Sequence, residues 1–150
     1  MKKILLFLFL LPLYALAQED EKPLPEADLI IVETKGELVM VLKELALVMQ
    51  EKGYFIEDYN KELLNIIATK RTTSWHSLEI KVNAYIREKE NGNLNLYFFG
   101  AYNTKNGEEQ YQGSANFNNN LLRRNERIAF EEINKLAKAF PGSSVIYGKL

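Results

Sequence analysis

Across residues 78–87 apolar and polar positions alternate without a break, Leu78, Ile80, Val82, Ala84 and Ile86 against Glu79, Lys81, Asn83, Tyr85 and Arg87. A period of two is the signature of a strand with one buried and one wet face. Asn91-Gly92 marks a hairpin turn, after which Leu94, Leu96, Phe98 and Tyr102 resume the alternation. The pattern also selects a register. A two-residue Asn-Gly turn would set Ile86 opposite Tyr97 and send the two apolar series to opposite faces. A three-residue loop of Glu90, Asn91 and Gly92, with the glycine left-handed, sets Ile86 opposite Leu96 and Ala84 opposite Phe98. Because a slip of one residue inverts every side chain, burial requires the longer loop. On the outer face this pairs Tyr85 with Tyr97 and Asn83 with Phe99.

Upstream, the period changes. Leu38, Val41, Leu42, Leu45, Ala46 and Met49 recur at steps of three and four, with Lys43, Glu44 and Glu51 mostly opposite. Thr34 and Glu37 have capping-box spacing, Gly53 suits a left-handed stop, and Lys52 sits at the negative end of the dipole. A helix is therefore expected over residues 34–52. Val39, Leu47 and Val48 widen its stripe and predict burial on more than one side. The chain then enters a short apolar strand, Tyr54-Phe55-Ile56, and Asp58-Tyr59-Asn60 has the composition of a turn. Leu63, Leu64, Ile66 and Ile67 would suit a helix, but the run is short and follows a turn, which favours a strand over residues 65–70.

The remaining elements follow from composition. Residues 28–32 form a β-branched run and a first strand. Residues 104–120, rich in Asn, Gly, Gln and Ser, are expected as a long loop with at most a short edge strand around 110–114. Residues 121–140 form a last helix with Leu122, Ala129, Ile133, Leu136 and Phe140 on its core stripe, stopped by Pro141-Gly142. Val145-Ile146-Tyr147 offers a final short strand. The predicted order is β-α-β-β-β-β-α, an α+β domain with two helices packed on one face of a curled antiparallel sheet.

The helix, its exit Glu51-Lys52-Gly53-Tyr54, and the passage from Ile56-Glu57-Asp58-Tyr59-Asn60 into Ile66-Ile67-Ala68-Thr69 form a recognisable series. It resembles the small envelope domains repeated in the outer-membrane-assembly lipoprotein C, where a helix ending in Gly-aromatic leads to a strand, a polar turn and a second strand. The resemblance covers residues 28–103. It implies a helix-grip-like α+β fold serving as a non-catalytic interaction module, and it carries over no functional residue. The chain departs from that family in lacking a lipid-bearing cysteine.

The first 17 residues have a different character. Lys2 and Lys3 precede an apolar run over residues 4–14, and Ala15-Leu16-Ala17 places small residues where a signal peptidase reads. The run is shorter than the roughly 20 apolar residues that span a bilayer, so a cleaved signal peptide is expected and no membrane span in the mature chain. Residues 18–27, with Pro23 and Pro25, are expected as a flexible leader, and residues 28–150 as a single domain. The product would be exported, periplasmic or extracellular. With no cysteine it must hold together by packing alone, which a chain of about 133 residues can do by burying roughly two thirds of its unfolded surface. Losing Lys2 and Lys3 leaves 17 Lys and Arg against 20 Asp and Glu, a net charge near −3 that argues against nucleic-acid binding.

Catalytic groupings are sparse. His76 is the single histidine and stands beside the single tryptophan, Trp75. A zinc site would have to rely on carboxylates, and Ser74 and Ser77 sit on no strained turn, so a hydrolase built on His76 is the least favoured reading. Glu57-Asp58, Glu108-Glu109 and Glu131-Glu132 fit solvated charge better than a glycosidase pair, and Gly100 and Gly113 stand alone. No cofactor is implied. Arg123, Arg124 and Arg127 open the last helix against its dipole, which marks them as candidates for an anionic partner or as partners of Glu126 and Glu131. Tyr85, Tyr97 and Phe99, with Trp75 at the margin, would cluster on the outer sheet face unless the last helix or the long loop covers them. The leading expectation is thus a non-enzymatic module that contacts a protein or envelope component through this aromatic face. The alternative is a carrier enclosing a small apolar ligand between sheet and helix.

Overall fold

The structure, a computed structural model, describes residues 22–73, 77–106, 109–117, 124–141 and 144–150. Its elements are β1 (Leu29–Thr34), α1 (Leu38–Glu51), β2 (Phe55–Asn60), β3 (Asn65–Arg71), β4 (Leu78–Glu88), β5 (Leu94–Asn106), β6 (Glu109–Ser114), α2 (Arg124–Lys138) and β7 (Ser144–Gly148). The α+β class and the order of elements agree with the expectation, and the short strands offered at residues 110–114 and 145–147 form as β6 and β7. All strand pairs are antiparallel, and the seven strands form one open sheet in the order β2-β3-β4-β5-β1-β7, with β6 also beside β5.

The β4–β5 hairpin is the spine of this sheet. Ile86 lies opposite Leu96, Ala84 opposite Phe98, and Tyr85 opposite Tyr97, the register that burial requires. Lys89 and Asn93 close the loop through a 2.8 Å backbone bond, and Gly92 takes the left-handed conformation at φ 78°. β5 runs on to Asn106, well past Tyr102, and pairs on its far edge with β1 through Leu94–Phe98 and with β6 from Ala101 onward. Much of the stretch expected as a long loop is therefore strand: β5 runs on to Asn106, and the short edge strand expected around residues 110–114 is β6, paired with β5.

α1 begins later than its spacing predicts. Thr34 belongs to the ladder, opposite Leu94, so it is not available to cap; Glu37 is the N-cap and makes no side-chain cap bond. The C-terminus matches its stop signal. Gly53 sits at φ 81°, its N–H donates to Gln50 O at 2.9 Å, and the Tyr54 N–H donates to Met49 O at 2.9 Å, the paired bonds of a Schellman motif. The expected turn at Asp58-Tyr59-Asn60 lies inside β2; the reversal falls at residues 61–64, where the Asn60 side-chain oxygen accepts from the N–H groups of Glu62 and Leu63, both at 2.9 Å. The strand expected over residues 65–70 is β3.

Both helices lie on one face. Val41, Leu42, Leu45 and Met49 of α1 and Ala129, Phe130, Ile133 and Leu136 of α2 join one core with Ile30, Val32, Ile66, Val82, Ala84, Leu96 and Phe98 of the sheet. Each fully buried Leu, Ile or Phe in such a core contributes about 1.5–3 kcal/mol. The expectation that α1 is buried on several sides fails: Val39 and Leu47 are 45% and 52% exposed. The end of the expected leader is held, because Ala27 is buried and backbone bonds run from Glu26 N–H to Phe117 O and from Phe117 N–H to Ala27 O, each 2.7 Å.

Candidate contact surface on the open sheet face

Antiparallel register carries side chains across the outer face in rows. One row reads Ile146, Ile31, Tyr97, Tyr85 and Asn65 from β7 to β3, and the next reads Phe99, Asn83 and Ile67. Tyr85 and Tyr97 stack with centroids 4.7 Å apart and planes 8° from parallel, and Phe99 meets Tyr85 edge-on at 6.1 Å and 72°. The Arg87 guanidinium lies 5.2 Å from the Tyr85 ring centroid, two residues along the same strand. The Asn95 amide donates to the Tyr97 hydroxyl at 3.3 Å. All three rings are half-buried by their neighbours and by nothing from the helices, which pack on the opposite side of the sheet.

The rings are framed by amides. The side-chain oxygens of Asn65, Asn83, Asn95 and Asn103 all point from this face, lie out of solvent, and accept no hydrogen bond among the described residues. Besides Arg87, charged pairs flank the rings. Glu33 accepts from Lys89 at 2.9 Å and from Asn93 at 2.6 Å, and these bonds hold its carboxyl below the usual carboxylate range. Lys81 and Glu57 pair at 2.8 Å toward the β2 edge.

The expected site residues divide. Tyr85, Tyr97 and Phe99 come together. Trp75 and Arg123 lie outside the described residues, as does His76. Arg124 opens α2 and is exposed, while Arg127 pairs with Glu131 at 3.6 Å, one helical turn on. Because α2 packs on the helix-bearing side, these arginines are not brought to the rings. Arg87, Asn65, Asn95 and Ile31 were not among the expected site residues, and they complete the surface. Arg87 follows from its place two residues after Tyr85; Asn65 and Ile31 depend on pairings with β3 and β1 that no local signal specifies.

Among the described residues no group of three or more His, Asp or Glu is placed to hold a metal ion, and no helix is long and apolar enough to cross a membrane. Comparison of the sequence with protein-family models and with curated proteins finds no match.

Proposed function

We propose that the chain is an exported, non-enzymatic binding module of the bacterial envelope that holds a protein or envelope component against the outer face of its sheet. The observation that carries this reading is the Tyr85–Tyr97–Phe99 cluster, uncovered by either helix and framed by four asparagine oxygens that have no hydrogen-bond partner among the described residues. A buried acceptor left unpaired costs about 1–3 kcal/mol, and a partner supplying N–H or O–H donors would recover part of it. Rings at the centre with amides and charges at the rim are the ordinary anatomy of a recognition patch. The leader pattern of residues 1–17 supports export, and the order α1, Gly53-Tyr54, β2, turn and β3 supports the resemblance to envelope domains.

The carrier reading drew on the wide apolar face of α1, and Val39 and Leu47 on that face point to solvent. A double variant, Tyr97→Ser with Phe99→Ser, tests the leading reading. Its far-ultraviolet circular dichroism should match the parent, while capture of the partner from an envelope fraction should fall by about tenfold or more, as for a central patch residue. Unfolding, or unchanged capture, would contradict it.

A further inference from the structure

Among the described residues the strand order ends in β2 on one side and β7 on the other, and an end strand leaves alternate N–H and C=O groups unpaired. The two ends are built differently. β2 is bulged between Ile56 and Asp58 and carries Glu57 and Asp58, devices that turn away another strand. β7 has neither: it pairs with β1 residue for residue from Ser144 to Gly148, and residues 139–148 hold no charged side chain. On the open face Ile146 stands 42% exposed at the end of the row that runs through Ile31, Tyr97 and Tyr85. We propose that β7 pairs antiparallel with β7 of a second copy of this chain, about a two-fold axis at Ile146, joining two open sheets into one.

The strand suits a copy of itself. About that axis Ser144 falls opposite Gly148 of the second copy, Val145 opposite its Tyr147, and Ile146 opposite its Ile146. Small residues meet at the ends, and a β-branched residue meets an aromatic one between them, a pairing favoured across antiparallel strands. Val145 and Tyr147 lie on the helix-bearing side, where both are buried and the Tyr147 ring centroid is 6.2 Å from that of Phe130, so the join extends the core. No like charges are forced together: Lys149, the first charged residue after the strand, is paired with Glu26 at 2.9 Å. The same patch serves both copies, so the assembly closes at two. Five residues make a short ladder that falls below the roughly 1,000 Å² of a stable interface, so the dimer is weak and concentration-dependent. Its consequence is a row of rings and isoleucines that continues from one copy into the other and doubles the surface open to a partner. The pairing itself does not depend on what that partner is.

Sedimentation velocity of the full chain, from low micromolar to near-millimolar concentration, should show a monomer–dimer equilibrium. Ile146→Lys sets like charges opposite each other at the axis and should weaken association by more than about tenfold, with unchanged circular dichroism because the position is exposed. Phe55→Lys, at an exposed position on β2, should leave association as it is. The chain has no cysteine, so Ile146→Cys introduces a single thiol. Opposed residues bring their Cβ atoms to about 4.5–5.5 Å, near disulfide reach, so mild oxidation of that variant should give a covalent dimer. Ser144→Cys and Phe55→Cys, whose thiols the axis holds apart, should cross-link far more slowly. Dimers that survive Ile146→Lys but are lost in Tyr97→Ser/Phe99→Ser would place the contact on the open face and overturn the proposal. So would equal cross-linking at all three positions, or a monomer at every concentration, which would leave β7 to a strand of another protein.

Discussion

Tyr85 and Tyr97 face each other across β4 and β5 with ring centroids 4.7 Å apart and planes 8° from parallel. Such a pair adds about 0.5–1.5 kcal/mol beyond its area burial. A double-mutant cycle with Tyr85→Ala and Tyr97→Ala, read from urea unfolding, should return a coupling energy in that range. A coupling near zero would mean that the rings do not touch in solution.

At Gly100 the bare backbone of β5 makes room for the Ile133 side chain of α2. A Cβ built there would lie 2.7 Å from the Ile133 side chain and would collide with the Lys81 backbone oxygen. The Ile133 methyl can turn aside, but the Lys81 oxygen cannot withdraw without moving β4. Gly100→Ala should therefore destabilise by about 2 kcal/mol or more in chemical denaturation.

The Schellman stop at Gly53 depends on a left-handed backbone at φ 81°, although nothing crowds the position. Gly53→Ala should cost about 1 kcal/mol, all of it conformational. Tyr54→Phe should behave oppositely. Burial holds the Tyr54 phenol above the ordinary tyrosine range, and its hydroxyl has no partner among the described residues, so removing it should leave stability unchanged or slightly higher. A loss above about 1 kcal/mol on thermal unfolding would show that the hydroxyl is bonded after all.

Acid should weaken the α2–β3 contact. Burial works to raise the Glu132 carboxyl, and the hydrogen bonds and charges of Lys135 and Lys70 outweigh it, holding the group below its ordinary 4.5. A carboxylate depressed in the folded state contributes stability above its unfolded pKa and loses it as pH falls through the folded value. The contribution is thus fully present above about pH 4.5 and falls away as pH drops from there through the lower folded value. With Glu132 17% exposed, about 1–2 kcal/mol is expected at neutral pH, and Glu132→Gln should lose that at pH 7 and progressively less as the pH is lowered into the acid range, measured by urea midpoints.

How far the fold could be read from sequence depended on whether local pattern or distant pairing decided each element. The β4–β5 register was readable because alternation and loop length agree on one solution, and the Tyr85–Tyr97 pair followed from it. β2 was cut short in the reading because it is an edge strand, half exposed and bulged between Ile56 and Asp58, so Glu57 and Asp58 interrupt any alternation. The extension of β5 through Lys105 and Asn106 runs past the start of β4 and is paired by β6 alone, so no local signal shows it. Thr34 had the right spacing for a cap but was claimed by the β1–β5 ladder, a competition that no window of sequence contains. Apolar character alone also misplaced Val39 and Leu47, since hydrophobicity does not say which side of a helix meets the sheet. Of the contact surface, the rings were readable and the asparagine frame only in part, because Asn65 reaches it through β3.

The most direct test of the proposed contact surface places a photo-crosslinking benzophenone amino acid at Phe99, and separately at Lys43 on the exposed side of α1, before irradiation with an envelope fraction. A discrete adduct from position 99 that disappears with Tyr97→Ser, with none from position 43, is the predicted result. No adduct from position 99, or the same adduct from both positions, would contradict the account.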